Sequence, residues 1–290
     1  MLVDLIRVTT RDGVNLDGML QRSAAERKLD VGVVCMIHGT GGNFYGSSLF
    51  DAFAQRFLAL GCAVLRVNTR GHDGISTATT TRGGLRLGAA YETVDDCRHD
   101  VAAWLEWMRA NVGPDVALLG HSLGAVKCVY AASHEPQSAP RRLIAVSPPR
   151  LSYSWFCAGA QAAEFLKTYE EAQALVSAGR AGTLIEVRLP LPMAIAAGGY
   201  LEKYGPDERY NYLNFLGSVP CPTLVLLGSV EVAKNMAFQE TPAEVARVAE
   251  RHAHIAVETI AGADHFYSGV RDEACAAMER WTTDIMDFTD

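Results

Sequence analysis

GHSLG, at Gly120–Gly124, sets one serine between two glycines, directly after the apolar run Val116–Leu119 and before the helix-forming run Ala125–Ala132. A strand that ends in Gly-x-Ser-x-Gly and continues as a helix must turn sharply, and glycines at both flanks remove side chains that would collide in the bend. Ser122, at the apex, is then held at the end of the strand as a nucleophile. The same turn brings the amide of Leu123 and the positive end of the next helix dipole beside any negative charge developing on an attacked carbonyl oxygen. A tight turn without chemistry is the competing explanation of the pentapeptide; the strand before it and the helix after it favour the nucleophile. A second glycine-rich stretch, HGTGGNFY at His38–Tyr45, follows the apolar run Val31–Ile37. Such a loop lets backbone amides come close to an acyl oxygen. It has neither the Gly-Lys-Ser/Thr ending nor the Gly-x-Gly-x-x-Gly spacing of a phosphate cradle.

The strand–GHSLG–helix unit resembles the nucleophile elbow of the α/β-hydrolase family, and the likeness runs from about Leu16 to Trp281. The resemblance implies an order along the chain: serine, then an acid after a later strand, then a histidine near the carboxyl terminus. His265, in GADHF just past the apolar run Ile255–Ile260, fits the last place. Imidazole takes a serine proton and returns it to a leaving group near neutral pH. His38 and His121 belong to the glycine loops and are expected to brace them, and His72, in RGH, resembles a structural loop motif of the family. His99, His134, His252 and His254 carry no partner motif.

For the acid, the only aspartates between Ser122 and His265 are Asp207 and Asp264. Asp207 falls in a long insertion, and Asp264 adjoins His265, where neighbouring side chains in an extended loop diverge. Glu231, in LGSVE just past the strand run Thr223–Leu227, stands where similar hydrolases usually carry an aspartate. It is the expected triad acid, with Asp207, Asp264 or another carboxylate as alternatives. The family's other acid position, after Leu143–Val146, reads SPPR and offers none. Similarity to the family's His-Gly-x loop makes Thr40 the second oxyanion donor beside Leu123, with Asn43, Phe44 and Tyr45 in the acyl pocket wall.

These groups need a scaffold. Leu5–Thr9 and Asp17–Arg22, joined across Arg11-Asp12-Gly13, predict an antiparallel hairpin. Short continuous apolar runs then alternate with amphipathic stretches: Val31–Ile37, Ala63–Val67, Val116–Leu119, Leu143–Val146, Thr223–Leu227 and Ile255–Ile260. Such runs predict strands buried on both faces of a parallel sheet. Helices are predicted over Leu49–Leu60, Thr93–Ala110, Leu123–His134, Pro242–His252 and Val270–Phe288. The expectation is an α/β-hydrolase fold with a mostly parallel eight-stranded sheet, its core formed by residues 1–147 and 218–290. Residues 148–217, rich in aromatics (Tyr153, Trp155, Phe156, Phe165, Tyr169), are too long for a plain connection. They are expected to form a helical cap over the carboxyl edge of the sheet; extra core helices with no substrate contact are the alternative. Arg70–Ala90, polar and glycine-rich, is either a second lid or a solvated connection.

The composition narrows the partners. A net charge of −7 disfavours nucleic acid and anionic membranes. The amino-terminal stretch has no leader pattern, and no apolar run approaches the ~20 residues of a membrane span. Seven scattered cysteines without a CxxC pair suit core positions in a reducing cytoplasm. The resemblance implies hydrolysis without cofactor or metal, with a small-molecule ester as the default substrate and a lactone or thioester next. Acyl transfer, amide hydrolysis and other cofactor-free reactions use the same triad, and a non-catalytic ligand-binding protein is the rival of a different class. The cap's aromatic and alanine content points to a largely apolar substrate. Oligomeric state is not legible.

Overall fold

The computed structural model describes residues 3–283. β1 (Asp4–Thr9) and β2 (Asn15–Gln21) form the expected antiparallel hairpin, and β2 pairs antiparallel with β4 (Ala63–Val67). All further pairs in this sheet are parallel, through β3 (Val33–Ile37), β7 (Val116–His121), β8 (Arg142–Val146), β11 (Thr223–Gly228) and β12 (Ile255–Ile260). The eight strands run β1-β2-β4-β3-β7-β8-β11-β12.

The continuous apolar runs have a physical cause. Alternate residues of a strand face opposite sides, and here both sides are covered. Cys35, Ile37, Leu118 and Leu143 pack under α2 (Cys97–Asn111), α3 (Leu123–His134) and α8 (Thr241–Ala249). Val34, Met36, Leu119 and Ile144 pack under α1 (Ser48–Ala59) and α9 (Arg271–Thr283). The last helix was expected to reach Phe288; residues 284–288 lie outside the described residues. Among the described residues no helix is long and apolar enough to cross a membrane.

Two stretches carry strands where the sequence suggested none. Inside Arg70–Ala90, β5 (Ser76–Thr80) and β6 (Gly83–Leu87) form a hairpin. It is tied to the start of β2 by a Val14–Thr80 bridge and by Asn15 Nδ2 donating to Thr79 Oγ1 at 3.0 Å. Between β8 and β11 the insertion is not purely helical. It contains α4 (Tyr153–Ala158), α5 (Ala162–Ser177), the hairpin β9 (Leu184–Val187) with β10 (Met193–Ala196), and α6 (Ala197–Tyr204). Its aromatic rings pack on one another: Phe156 against Phe165, Tyr153 against Tyr169 and Tyr200 against Tyr204, at centroid distances of 5.3, 5.0 and 5.0 Å. These rings give the insertion its own core, continuous with the face of the sheet covered by α2, α3 and α8.

Candidate active site

Ser122 sits between the last residue of β7 and the first of α3 with φ 56° and ψ −127°, a conformation that L-residues rarely adopt. The surroundings force it. Gly124 packs so tightly beneath the preceding loop that a Cβ there would lie 2.2 Å from the Ile37 carbonyl oxygen. The Ser122 amide is tied to the Val146 carbonyl at 2.9 Å, and its own carbonyl starts the helix by accepting from Ala125 and Val126. Its side chain makes no capping bond to α3, which leaves the hydroxyl free. Leu123, as first residue of the helix, has an amide without an intrahelical acceptor.

Ser122 and His265 line one cavity of about 430 Å³. His265 is held from two sides. Its Nδ1 lies 2.7 Å from Glu231 Oε2, and its carbonyl oxygen accepts from His121 Nε2 at 2.8 Å. Burial, reinforced by the neighbouring His265, pushes the His121 pKa down to about 3, so His121 stays a neutral donor. Phe238 packs on the His265 ring at 5.3 Å between centroids.

Glu231 is buried in the first turn of α7 (Ser229–Lys234), a short helix that follows β11 directly. Its second oxygen, Oε1, accepts from Ser147 Oγ at 2.5 Å and from the Gly228 amide at 2.7 Å. Ser147 Oγ also meets Tyr267 Oη at 3.0 Å, and Tyr267 donates to the Leu226 carbonyl at 3.2 Å. Ser147 and Tyr267 both have positive φ. Neither stood out in the sequence; the available signal was that Ser147 directly follows the strand after which the family's alternative acid lies. The rival carboxylates are otherwise engaged. Asp264 accepts from the amides of Phe266 and Ser268, and Asp207 lies near Gly205 and Tyr169 in the insertion.

The rest of the cavity wall is the glycine loop His38–Asn43, the first turn of α1 from Ser47 to Phe50, His121, Phe266 and Leu191. Thr40 and Asn43 therefore both line the cavity. Asn43 is fixed by donating to Asp73 Oδ1 at 2.8 Å and accepting from the Gly46 amide at 2.7 Å. Phe44 does not join this wall; it lies in a groove beside Leu5 and Ile6 of β1, and Tyr45 is 64% exposed. The insertion contributes only Leu191, at the turn between β9 and β10, because its aromatics are used in its own core. The hairpin β5–β6 contributes nothing to the wall, since it is bound to the β2 side. Among the described residues no cluster of three or more His, Cys, Asp or Glu side chains is placed to hold a metal ion.

A mostly parallel eight-stranded sheet, with a strained serine at the turn from its central strand into a helix, defines an α/β-hydrolase architecture. The sequence matches the family model for the alpha/beta hydrolase family over residues 34–278, and the chain belongs to that family. Among solved structures it is similar to Est1E from Butyrivibrio proteoclasticus with ferulic acid bound: 17% identity, 94% of this chain and 96% of that one, TM-score 0.64. The Pyrococcus furiosus esterase Pf2001 is similar at 16% identity over 97% and 90% of the two chains, with a TM-score of 0.61. The α/β hydrolase GrgF from Penicillium sp. sh18 is similar at 15% identity over 97% and 98%, with a TM-score of 0.66. A search of curated protein sequences finds no match.

Proposed function

We propose that the protein is a serine hydrolase that cleaves a carboxylic ester, or a lactone or thioester, of a small organic substrate through an acyl-enzyme. Ser122 Oγ attacks the carbonyl carbon as His265 Nε2 takes its proton. The amides of Thr40 and Leu123 receive the tetrahedral oxyanion. His265 then protonates the leaving oxygen, and water repeats the sequence to release the acid. Glu231 fixes the imidazole with Nδ1 protonated and stabilises it when charged. Residues 148–217 act as a cap over the core of 1–147 and 218–290, reaching the cavity through Leu191.

The observation that carries this reading is the 2.7 Å contact between His265 Nδ1 and Glu231 Oε2, in a cavity whose wall includes the unbonded hydroxyl of Ser122. The cavity wall also bears on the substrate expectation. It carries the buried apolar side chains of Leu49 and Phe50 beside the polar Thr40, Asn43 and Ser47, with exposed Leu191 and Phe266 at the rim.

A fluorophosphonate probe is expected to label the wild type and to leave Ser122→Ala unlabelled. Undiminished labelling of the variant, or none of the wild type, would overturn the proposal in favour of a ligand-binding role. A panel of p-nitrophenyl esters of increasing chain length, with methyl ferulate, lactones and thioesters alongside, then sorts the substrate class.

A further inference from the structure

Behind the glycine loop runs a buried line of polar contacts that acyl transfer itself does not use. Lys127 of α3 meets Glu92 Oε2 at 2.5 Å, and Lys203 of α6 meets Glu92 Oε1 at 3.5 Å. All three side chains are 1% exposed. Two ammonium groups around one carboxylate leave an excess positive charge in the interior, where apolar residues of the same size would stabilise the fold better. Burial accordingly lowers the pKa of Lys203. A structural role alone gives no reason for this arrangement.

Lys127 Nζ also donates to Thr69 Oγ1 at 3.1 Å, and Thr69 Oγ1 lies 3.3 Å from His38 Nε2. The Thr69 amide donates to the same nitrogen at 3.1 Å. His38 Nδ1 lies 2.8 Å from the Gly39 carbonyl oxygen. The direction of each bond follows from the one before. An ammonium can only donate, so Thr69 Oγ1 accepts from it and has its own proton free for His38. Nε2 is thereby the bare nitrogen, Nδ1 carries the proton, and the Gly39 carbonyl accepts it. Burial, helped by the charge of Lys127, pushes the His38 pKa down to about 4 and preserves this neutral tautomer.

In a trans peptide the carbonyl and the following N–H point in opposite directions. A Gly39 carbonyl held toward His38, and accepting also from the Gly42 amide at 3.1 Å, therefore turns the Thr40 N–H the other way. Gly39 sits hard against the nucleophile, since a Cβ on it would lie 2.8 Å from that of Ser122. A flipped peptide would present a carbonyl oxygen to the developing oxyanion.

We propose that Lys127 is a positioning residue for the oxyanion loop, anchored by Glu92, which Lys203 from the insertion also holds, and that through Thr69 and His38 it fixes the Gly39–Thr40 peptide with its N–H toward the cavity. The seat of α6 and the orientation of this peptide are thus coupled. The catalytic consequence rests on the acyl-transfer reading above; the structural consequence does not.

The test uses the full chain with Lys127→Met, Thr69→Val and Thr69→Ser, read by ester kinetics and by NMR of the His38 ring and the Thr40 amide. Lys127→Met is expected to lower kcat about 10- to 100-fold with KM within about twofold. It is also expected to raise the His38 pKa by about one unit and to shift the Thr40 amide resonance. Thr69→Val should follow it, and Thr69→Ser, which keeps the hydroxyl, should restore wild-type behaviour. Lys203→Met should give a smaller loss in the same direction. If Lys127→Met does not fold, the Thr69 pair carries the decision. Unchanged His38 and Thr40 signals in the folded variants overturn the proposal whatever happens to kcat. A wild type without Ser122-dependent turnover overturns the acyl-transfer reading alone, because the NMR arm still decides the peptide orientation.

Discussion

Glu231 and Glu92 are both buried, at 5% and 2% exposure, yet their charges are met in opposite ways. Glu231 has only neutral donors on Oε1, the Ser147 hydroxyl and the Gly228 amide, and Oε2 faces an imidazole. Met by dipoles and not by a cation, it suits the proposed role of stabilising a histidine that becomes positive during reaction. Glu92 faces two ammonium groups. Burial raises its pKa, but Lys127 and Lys203 outweigh that and hold it below the ordinary glutamate value. A carboxylate so compensated can anchor its partners but has no spare field for chemistry. Burial alone does not separate the proposed triad acid from the anchoring one; the charge of the neighbours does.

The comparison breaks if the two glutamates respond alike to loss of charge. Glu231→Gln is expected to lower kcat by about 10³- to 10⁴-fold, through the wrong tautomer and loss of charge at His265. Its folding stability should change by only about 1 kcal/mol, because the donors on Oε1 can still meet the amide. Glu92→Gln should show the larger stability effect, a loss of about 3–5 kcal/mol in denaturant unfolding, since two buried ammonium groups lose their counter-ion. A near-normal rate for Glu231→Gln would move the acid role elsewhere. Ser147→Ala sharpens the contrast: removing one neutral donor from Glu231 should cost about 10-fold in kcat, with fluorophosphonate labelling slowed to match.

The same contrast explains what the sequence could convey. The sheet was legible because strands buried on both faces have continuous apolar runs, and Glu231 was singled out because it follows such a run directly. Ser147 was passed over because the search after β8 was for a carboxylate, whereas the site uses that position to hold one. Lys127 lies in VKCVY, a single charge in a helix whose other residues read as core, and only the fold shows that Glu92 meets it. The aromatics of the insertion suggested a pocket lining, but aromatic content does not distinguish rings that face a cavity from rings that face one another. The β5–β6 hairpin was hidden in TATTTRGGLRL, whose threonine-rich, alternating pattern around Arg82-Gly83 suits a strand pair better than a solvated loop.

A third glutamate tests the rule where neither arrangement is complete. Glu202, next to Lys203 on α6, accepts from the Tyr210 hydroxyl and, at 3.5 Å, from the Val94 amide. Burial raises its pKa to about 7; the Val94 amide, Lys203 and Arg209 oppose the shift and Asp95 adds to it. The sign of the consequence is fixed by linkage. Between pH 4.5 and 7 the folded chain keeps a proton on Glu202 that the unfolded chain has released, so stability falls as pH rises through this window and levels off above it. Glu202→Gln removes the titration while keeping the shape. Its stability relative to wild type should therefore climb by about 2 kcal/mol between pH 4.5 and pH 8, read by urea unfolding at the two values. Equal differences at both pH values would mean that the tyrosine hydroxyl and one amide suffice to keep this carboxylate ionised as it is in water. Neutral donors would then suffice for Glu202, and the lysines around Glu92 would not be needed merely to bury a charge.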